Sequence, residues 1–306
     1  MAQVGIEFRG CACRLLQTLL DSGNFWSSST AMKDLSMRIL FHQLNVRLGQ
    51  CLLALFCAAI TLPSFAQKQN SRYPVDNSRD PVDNSRNPAD NSRYQVVQPS
   101  RDGIGKIYMG REIAGVMGWQ GAAWLEREER EKEERGDLLL RELGLKPGMA
   151  VADIGAGTGY YARRMAPLVG AGGLGGVVYA TDVQPEMMIL LEDGAKKAGL
   201  ANIKPVLGGL QSVNLPDNSI DLAIMVDVYH ELEFPFEVIE SLVRALKPGG
   251  RIAYVEYRLE DQRVPIKTLH KMSEMQVRKE AAAHALVWER TASTLPWQHV
   301  VIFRKK

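Results

Sequence analysis

Val151-Ala152-Asp153-Ile154-Gly155-Ala156-Gly157-Thr158-Gly159-Tyr160 decides how this chain is read. A short apolar run ends in a turn that carries an acid, and glycines then take every second position. A helix-compatible segment, Tyr161 to Val169, follows. Strand, glycine turn and helix start are the local geometry of a nucleotide-binding crossover, where the backbone must approach its ligand closely. The spacing narrows the choice. A dinucleotide fingerprint needs G-x-G-x-x-G, but Tyr160 stands where the last glycine belongs. A pyrophosphate cradle, and with it a nicotinamide-dependent oxidoreductase, is disfavoured.

Downstream segments extend the pattern. Val177-Val178-Tyr179-Ala180-Thr181-Asp182 is a second β-branched run ending in an acid. An acid at the tip of the second strand of such a fold accepts hydrogen bonds from a ribose diol. Asp182 also stands before Gln184-Pro185-Glu186, a helix start with Pro near its first position, so a capping role competes with the ribose role. Ser219 to Asp227 is almost continuously apolar, as a parallel strand buried on both faces requires. It runs into Asp227-Val228-Tyr229-His230-Glu231-Leu232. Leu246-Lys247-Pro248-Gly249-Gly250 then predicts a helix stop and a glycine turn before a strand to Glu256. Strand and helix alternate, and the polar groups sit at strand ends, where ligands of open α/β sheets bind.

From about Gly110 to Lys306 the chain resembles the class I S-adenosylmethionine-dependent methyltransferases. Within them it is similar to small bacterial methyltransferase-domain proteins with a V-D-V-Y-H-E element after the fourth strand. The glycine loop, Asp182, the Leu215-to-Asp221 lead-in and the Leu246-to-Gly250 turn follow that family's order. The resemblance implies an α/β, Rossmann-like doubly wound seven-stranded sheet, mostly parallel with an antiparallel last strand. Leu286 to Arg290 and His299 to Arg304, joined by a turn containing Pro296, fit its end. It also implies S-adenosylmethionine as cofactor, held by Asp153, Gly155, Ala156, Gly157, Gly159, Asp182, Val183, Gln211 and Asp227. Many relatives place an acid after the third strand to contact adenine. Here Leu207 to Asn214 has none, so Gln211 or backbone groups would serve.

The implied chemistry is methyl transfer to a small-molecule acceptor, with a non-catalytic cofactor-binding protein of the same fold as the alternative. Asp227, Tyr229 and His230 are the candidate catalytic residues, at the strand end to which the methyl should point. His230 is the candidate base, with an ordinary pKa of about 6.5; a structural histidine bonded to Glu231 or to a backbone carbonyl is the alternative. His230 and Glu231 together could suggest a metal site, but none is expected, because His270, His284 and His299 are scattered and no histidine pair has helical spacing. Lys267 to Ala285 reads as a helix-like stretch whose methionines are core. Leu125 to Arg135 reads as the solvated face of a charged helix. Residues 104–143 are expected to form a helical lid at the front of the domain.

Composition is that of a globular protein: 306 residues, 46% hydrophobic and 24% charged, with a net charge of +2 that gives no reason to expect nucleic acid. The front third differs. Leu48 to Leu62 is an apolar run with Arg38 and Arg47 before it and Pro63-Ser64-Phe65-Ala66 after it. That is the plan of a secretory signal peptide cut after Ala66, or of an uncleaved segment that brings the chain to a membrane. The expected location is periplasmic or secreted, with membrane anchoring as the alternative. Met37 is the natural start for such a signal, which would make residues 1–36 an over-extended reading frame. All the cysteines, at 11, 13, 51 and 57, precede Ala66, so the processed chain needs no disulfide. In residues 67–100, Asp-Asn-Ser-Arg recurs from Asp76, Asp83 and Asp90 with few large apolar side chains, which predicts a disordered linker. Three regions follow: 1–66, 67–100 and a methyltransferase domain at 101–306. Oligomeric state is left open.

Overall fold

The computed structural model describes residues 93–306. The expected signal segment, the start at Met37 and most of the repeat linker lie outside the described residues. Three short strands come first, β1 (Tyr94–Val96), β2 (Gly103–Tyr108) and β3 (Arg111–Ala114). Then come α1 (Ala122–Leu125), α2 (Arg130–Glu134), α3 (Gly136–Leu143), β4 (Ala150–Ile154), α4 (Tyr160–Gly170), β5 (Val177–Asp182) and α5 (Pro185–Lys197). The rest is β6 (Ile203–Leu207), β7 (Ile220–Val226), α6 (Pro235–Ala245), β8 (Leu246–Tyr257), α7 (Glu274–Ala281), β9 (Leu286–Ala292) and β10 (Gln298–Lys305).

The large sheet has seven strands in the order β6-β5-β4-β7-β8-β10-β9. β4, β5, β6, β7 and β8 pair in parallel, and β10 runs antiparallel to both β8 and β9. The seven-stranded sheet expected from the resemblance is therefore present. Strand order reverses between β4 and β7, and the carboxyl ends there frame the crevice where such sheets bind ligands. β7 shows why the core is two-sided. Leu222, Ile224 and Val226 pack on one face with Leu139, Met165 and Leu191, while Ala223 and Met225 pack on the other with Ile239, Leu242 and Val277.

Local chemistry sets the helix ends. Gly159 takes a left-handed φ of 81° as α4 begins, α5 and α6 open on prolines, and the Ser273 hydroxyl accepts from the Gln276 N–H to cap α7. The expected turn at Leu246 to Gly250 is instead an irregular start to β8, with a register shift against β7 and Gly249 at φ 72°. The Lys267–Ala285 stretch is a 3-10 turn (Thr268–His270) followed by α7. Met272 is core, but Met275 is exposed.

The front of the domain corrects two expectations. β1 falls inside the segment assigned to the linker. Tyr94 buries an aromatic ring there: it packs at 5.4 Å from Tyr108 and donates its hydroxyl to Glu237. The expected helical lid begins as β-structure, since β2 and β3 occupy its front and form an antiparallel sheet with β1. No helix among the described residues is long and apolar enough to cross a membrane.

Candidate active site

The loop after β4 turns sharply around Gly155, whose φ is 66°; a Cβ there would lie 2.6 Å from Val228 Cγ1. Only glycine lets the ends of β4 and β7 approach this closely. Asp182, at the tip of β5, clamps the same loop. Its Oδ2 accepts the Gly157 N–H at 3.0 Å and its Oδ1 accepts the Gln184 N–H at 2.9 Å. The capping and loop-holding roles thus coexist, and a carboxylate with these two bonds keeps lone pairs for a further donor. Burial raises the Asp182 pKa, although the backbone N–H groups oppose it. Asp153 is more deeply placed. It is buried, its Oδ2 has no hydrogen-bond partner, and burial pushes its carboxyl up to about 7.

At the end of β7, Asp227 adopts a left-handed φ of 55°, an unusual conformation for a non-glycine residue and a mark of functional sites. Its Oδ2 accepts from Gln298 Nε2 at 2.6 Å, and its Oδ1 is buried without a hydrogen-bond partner. Burial raises its pKa well above the ordinary value, and the Glu134 and Glu256 charges add to this. The 3-10 turn Tyr229–Glu231 follows. It turns Tyr229 into the core, with its ring 4.9 Å from Tyr254, and turns His230 and Glu231 toward the cavity.

His230 Nδ1 lies 2.6 Å from Glu256 Oε2, and the other oxygen of Glu256 accepts the Tyr229 N–H at 3.0 Å. Burial lowers the His230 pKa, but the Glu256 charge and the bonds to Glu231 and Glu256 outweigh it and lift it to about 10. The ring does not keep the ordinary value near 6.5 that the base role assumed. His230 is hydrogen-bonded to the Glu256 carboxylate rather than to a backbone carbonyl, with Glu231 3.7 Å from its Nε2.

Helix α2 contributes a buried charge cluster. Arg130 Nε donates to Glu134 Oε2 at 2.8 Å, and Glu134 also accepts from Arg127, Tyr161 and Tyr257. The expected solvated face is wrong at these two positions: Arg130 is 5% exposed and Glu134 0%. The cause is tertiary. Tyr160 and Tyr161 offer aromatic faces to the Arg130 guanidinium, at 4.2 and 5.1 Å, and cover it.

A cavity of about 490 Å³ joins these parts, within the range of small-molecule sites. Asp153, Gly155, Ala156, Gly157, Asp182 and Val183 line one side, and Asp227, His230, Glu231 and His270 another. Val116, Met117, Trp124 and Leu125 line it from the front of the chain. The Met117 N–H donates to Glu231 at 3.2 Å, and Gln184 bonds the Met117 carbonyl and the Trp119 N–H. Glu126 accepts two bonds from Arg163, at 2.7 and 2.8 Å, which fastens the segment after α1 to α4.

Three expected site residues stand apart. Tyr229 is core. Gly159 starts α4 and packs on Leu191 rather than lining the cavity. Gln211 also lies off the lining, because the β6 loop folds back through Gly208 and Ser212 and presents those residues instead. Arg130, Glu134, Glu256 and His270 are not among the expected site residues, and Glu231 is expected only as a neighbour of His230. Glu256 carried a signal, as a charged residue closing an apolar strand. His270 carried none, because only the fold brings it to His230.

Fold and site together define a nucleotide-cofactor α/β domain with its ligand crevice at the β4/β7 switch point. Comparison with known proteins specifies the class. Residues 152–254 match the family model described as a methyltransferase domain. Two ubiquinone/menaquinone biosynthesis C-methyltransferases (UbiE) are similar to the chain. The one from Ectopseudomonas mendocina is 30% identical over 115 residues, 37% of this chain and 44% of the relative. The one from Laribacter hongkongensis is 30% identical over 121 residues, 39% and 48%. The chain thus spans under half the length of these curated relatives. A crystal structure of a SAM-dependent methyltransferase from Aquifex aeolicus superposes with a TM-score of 0.59 at 27% identity, covering 62% of this chain and all of that one. The chain carries a methyltransferase domain at residues 152–254, similar in fold to S-adenosylmethionine-dependent methyltransferases.

The residues present fit that cofactor. The unpartnered buried oxygens of Asp153 and Asp227 suit an ammonium group, and Arg130, on the same lining, suits a carboxylate. Asp182 suits a ribose diol.

Proposed function

We propose that this protein transfers a methyl group from S-adenosylmethionine to a small-molecule acceptor bound in the same cavity. The observation that carries the reading is the continuity of that cavity, from the Gly155–Gly157 loop and Asp182 to Asp227 and His230. When bound, the cofactor supplies a methyl group already activated on a sulfonium, so alignment and exclusion of water are the protein's main tasks. Asp182 holds the ribose end and fixes the loop, while Asp153, Asp227 and Arg130 hold the charged amino-acid end. Val116, Met117, Trp124 and Leu125 shield the cavity from water. His230, fixed by Glu256, presents its Nε2 side toward the acceptor end.

Mostly apolar walls and the likeness to methyltransferases of quinone biosynthesis favour an acceptor with an aromatic or apolar body. Incubating the full chain with methyl-labelled cofactor and pools of phenols, quinones and amines tests this. Label should pass to a small molecule, with S-adenosylhomocysteine formed in equal amount. Bound cofactor with no transfer to any pool would contradict it. The Met37–Ala66 segment supports an exported, processed or anchored chain, which mass spectrometry of the N-terminus produced in the native cell tests.

A further inference from the structure

His230, Glu231 and His270 face one another across the acceptor end of the cavity. The separations are 3.1 Å from His230 Nε2 to His270 Nδ1, 3.1 Å from His270 Nδ1 to Glu231 Oε1, and 3.7 Å from His230 Nε2 to Glu231 Oε1. Ligand bonds of about 2.0–2.1 Å at tetrahedral or octahedral angles place neighbouring donors roughly 2.8–3.4 Å apart. Two edges of the triangle fall in that range, and the third, His230 Nε2 to Glu231 Oε1 at 3.7 Å, needs a small closing movement. Histidines that are scattered in the sequence are brought together here: the fold gathers two of them beside a carboxylate.

From this we infer that the chain holds a first-row divalent transition-metal ion on His230 Nε2, His270 Nδ1 and Glu231 Oε1. An N–H between the two rings, or between His270 and Glu231, cannot serve both neighbours with good geometry, whereas a cation takes a lone pair from all three. The surroundings are those of metal-ligating histidines. His230 has its other nitrogen on Glu256, a 0% exposed carboxylate that is itself held by the Tyr229 N–H, and such an outer carboxylate fixes ring orientation and tautomer. Glu231 has its other oxygen on the Met117 N–H. The turn that carries both residues is braced from behind, where Arg111 donates to the carbonyls of Tyr229 and His230 while paired with buried Glu280.

Two imidazoles and one carboxylate select zinc, iron, cobalt, nickel or manganese over magnesium and calcium, which take oxygen donors. Three protein ligands leave positions open, as catalytic rather than structural sites do. All three residues line the cavity, so the open positions face it. The site rests on this geometry alone. Its role, to bind and orient an oxygen atom of the acceptor, rests on the methyltransferase reading.

The test is calorimetric titration of the chelator-stripped full chain with Zn2+ and, separately, Mn2+. Co2+ absorption reports coordination number. The expected result is one ion per chain, with affinity falling about 100-fold or more in His270→Ala and in Glu231→Gln, and about 10- to 100-fold in Glu256→Gln. Thermal melting of each variant shows whether it is folded, and His270 is the most exposed of the three ligands and the most tolerant of change. Absence of uptake by the wild type, or uptake unchanged in both folded ligand variants, would overturn the site. S-adenosylhomocysteine binding, measured on the same wild-type sample, keeps the readings distinct. If it persists without metal uptake, only the metal site fails.

Discussion

The two halves of the cavity are built in opposite ways. The cofactor half is local: β4, its glycine loop and the tip of β5 place Asp153, Gly155 and Asp182 through one strand-turn-helix unit and its neighbour. The acceptor half is assembled from distant pieces, with His230 after β7, Glu256 from β8 and His270 before α7, and Arg130 from α2 and Asp227 after β7 reach the cofactor's amino-acid end in the same long-range way. The difference teaches that a ligand shared across a superfamily can be read from contiguous sequence. The part that recognises a particular acceptor depends on tertiary convergence.

If the pieces gathered from a distance depend on that convergence, their buried charges should be the weakest point. Glu134→Gln leaves Arg127 and Arg130 short of their shared carboxylate. We expect a loss of about 3–5 kcal/mol in chemical denaturation, the largest effect among these changes. A loss below about 1 kcal/mol would show that the cluster is more solvated than its burial indicates.

The cofactor half should break sterically. Gly155→Ala combines a left-handed backbone with a clash against Val228. About 2–4 kcal/mol should be lost, and cofactor binding with it, as read by denaturation and calorimetry. Unchanged binding would mean that β4 and β7 can separate without disturbing the loop.

Asp153 sharpens the comparison through pH. Its pKa rises from the ordinary 3.8 when unfolded to about 7 when folded. Its contribution to stability is therefore present below the lower value and lost as pH rises through the upper one. Asp153→Asn should stabilise the cofactor-free protein increasingly with pH, by up to about 2–3 kcal/mol more at roughly pH 8 than at pH 5. A pH-independent difference in melting would refute this. The smallest effect should follow Gln184→Ala, which unties Met117 and Trp119 from α5. About 1 kcal/mol of local stability should be lost, seen as faster hydrogen exchange at those two amides with the glycine loop unchanged.

The same contrast explains what could be read without coordinates. Ile220 to Val226 announces a two-sided strand because every face is apolar, and Asp182 ends a β-branched run, so strand, sheet and cofactor acid were legible. Gln211 was misplaced because the adenine position was chosen by residue type, whereas the Gly209–Ser212 bridge decides which groups face inward. Arg130 and Glu134 looked solvated because eleven residues of mixed charge contain no cue that Tyr160, Tyr161 and Tyr257 will cover two of them. His270 reaches His230 only after β8 and the loop beyond it have folded back.

Calorimetric titration of the full chain with S-adenosylmethionine and S-adenosylhomocysteine tests the central claim most directly. Both should bind wild type, more tightly as pH rises through about 7, because the ammonium group favours ionised Asp153. Asp182→Ala should weaken both by about 10- to 100-fold through loss of charge-assisted hydrogen bonds. Absence of binding by wild type, or equal affinity in a folded Asp182→Ala, would contradict the account.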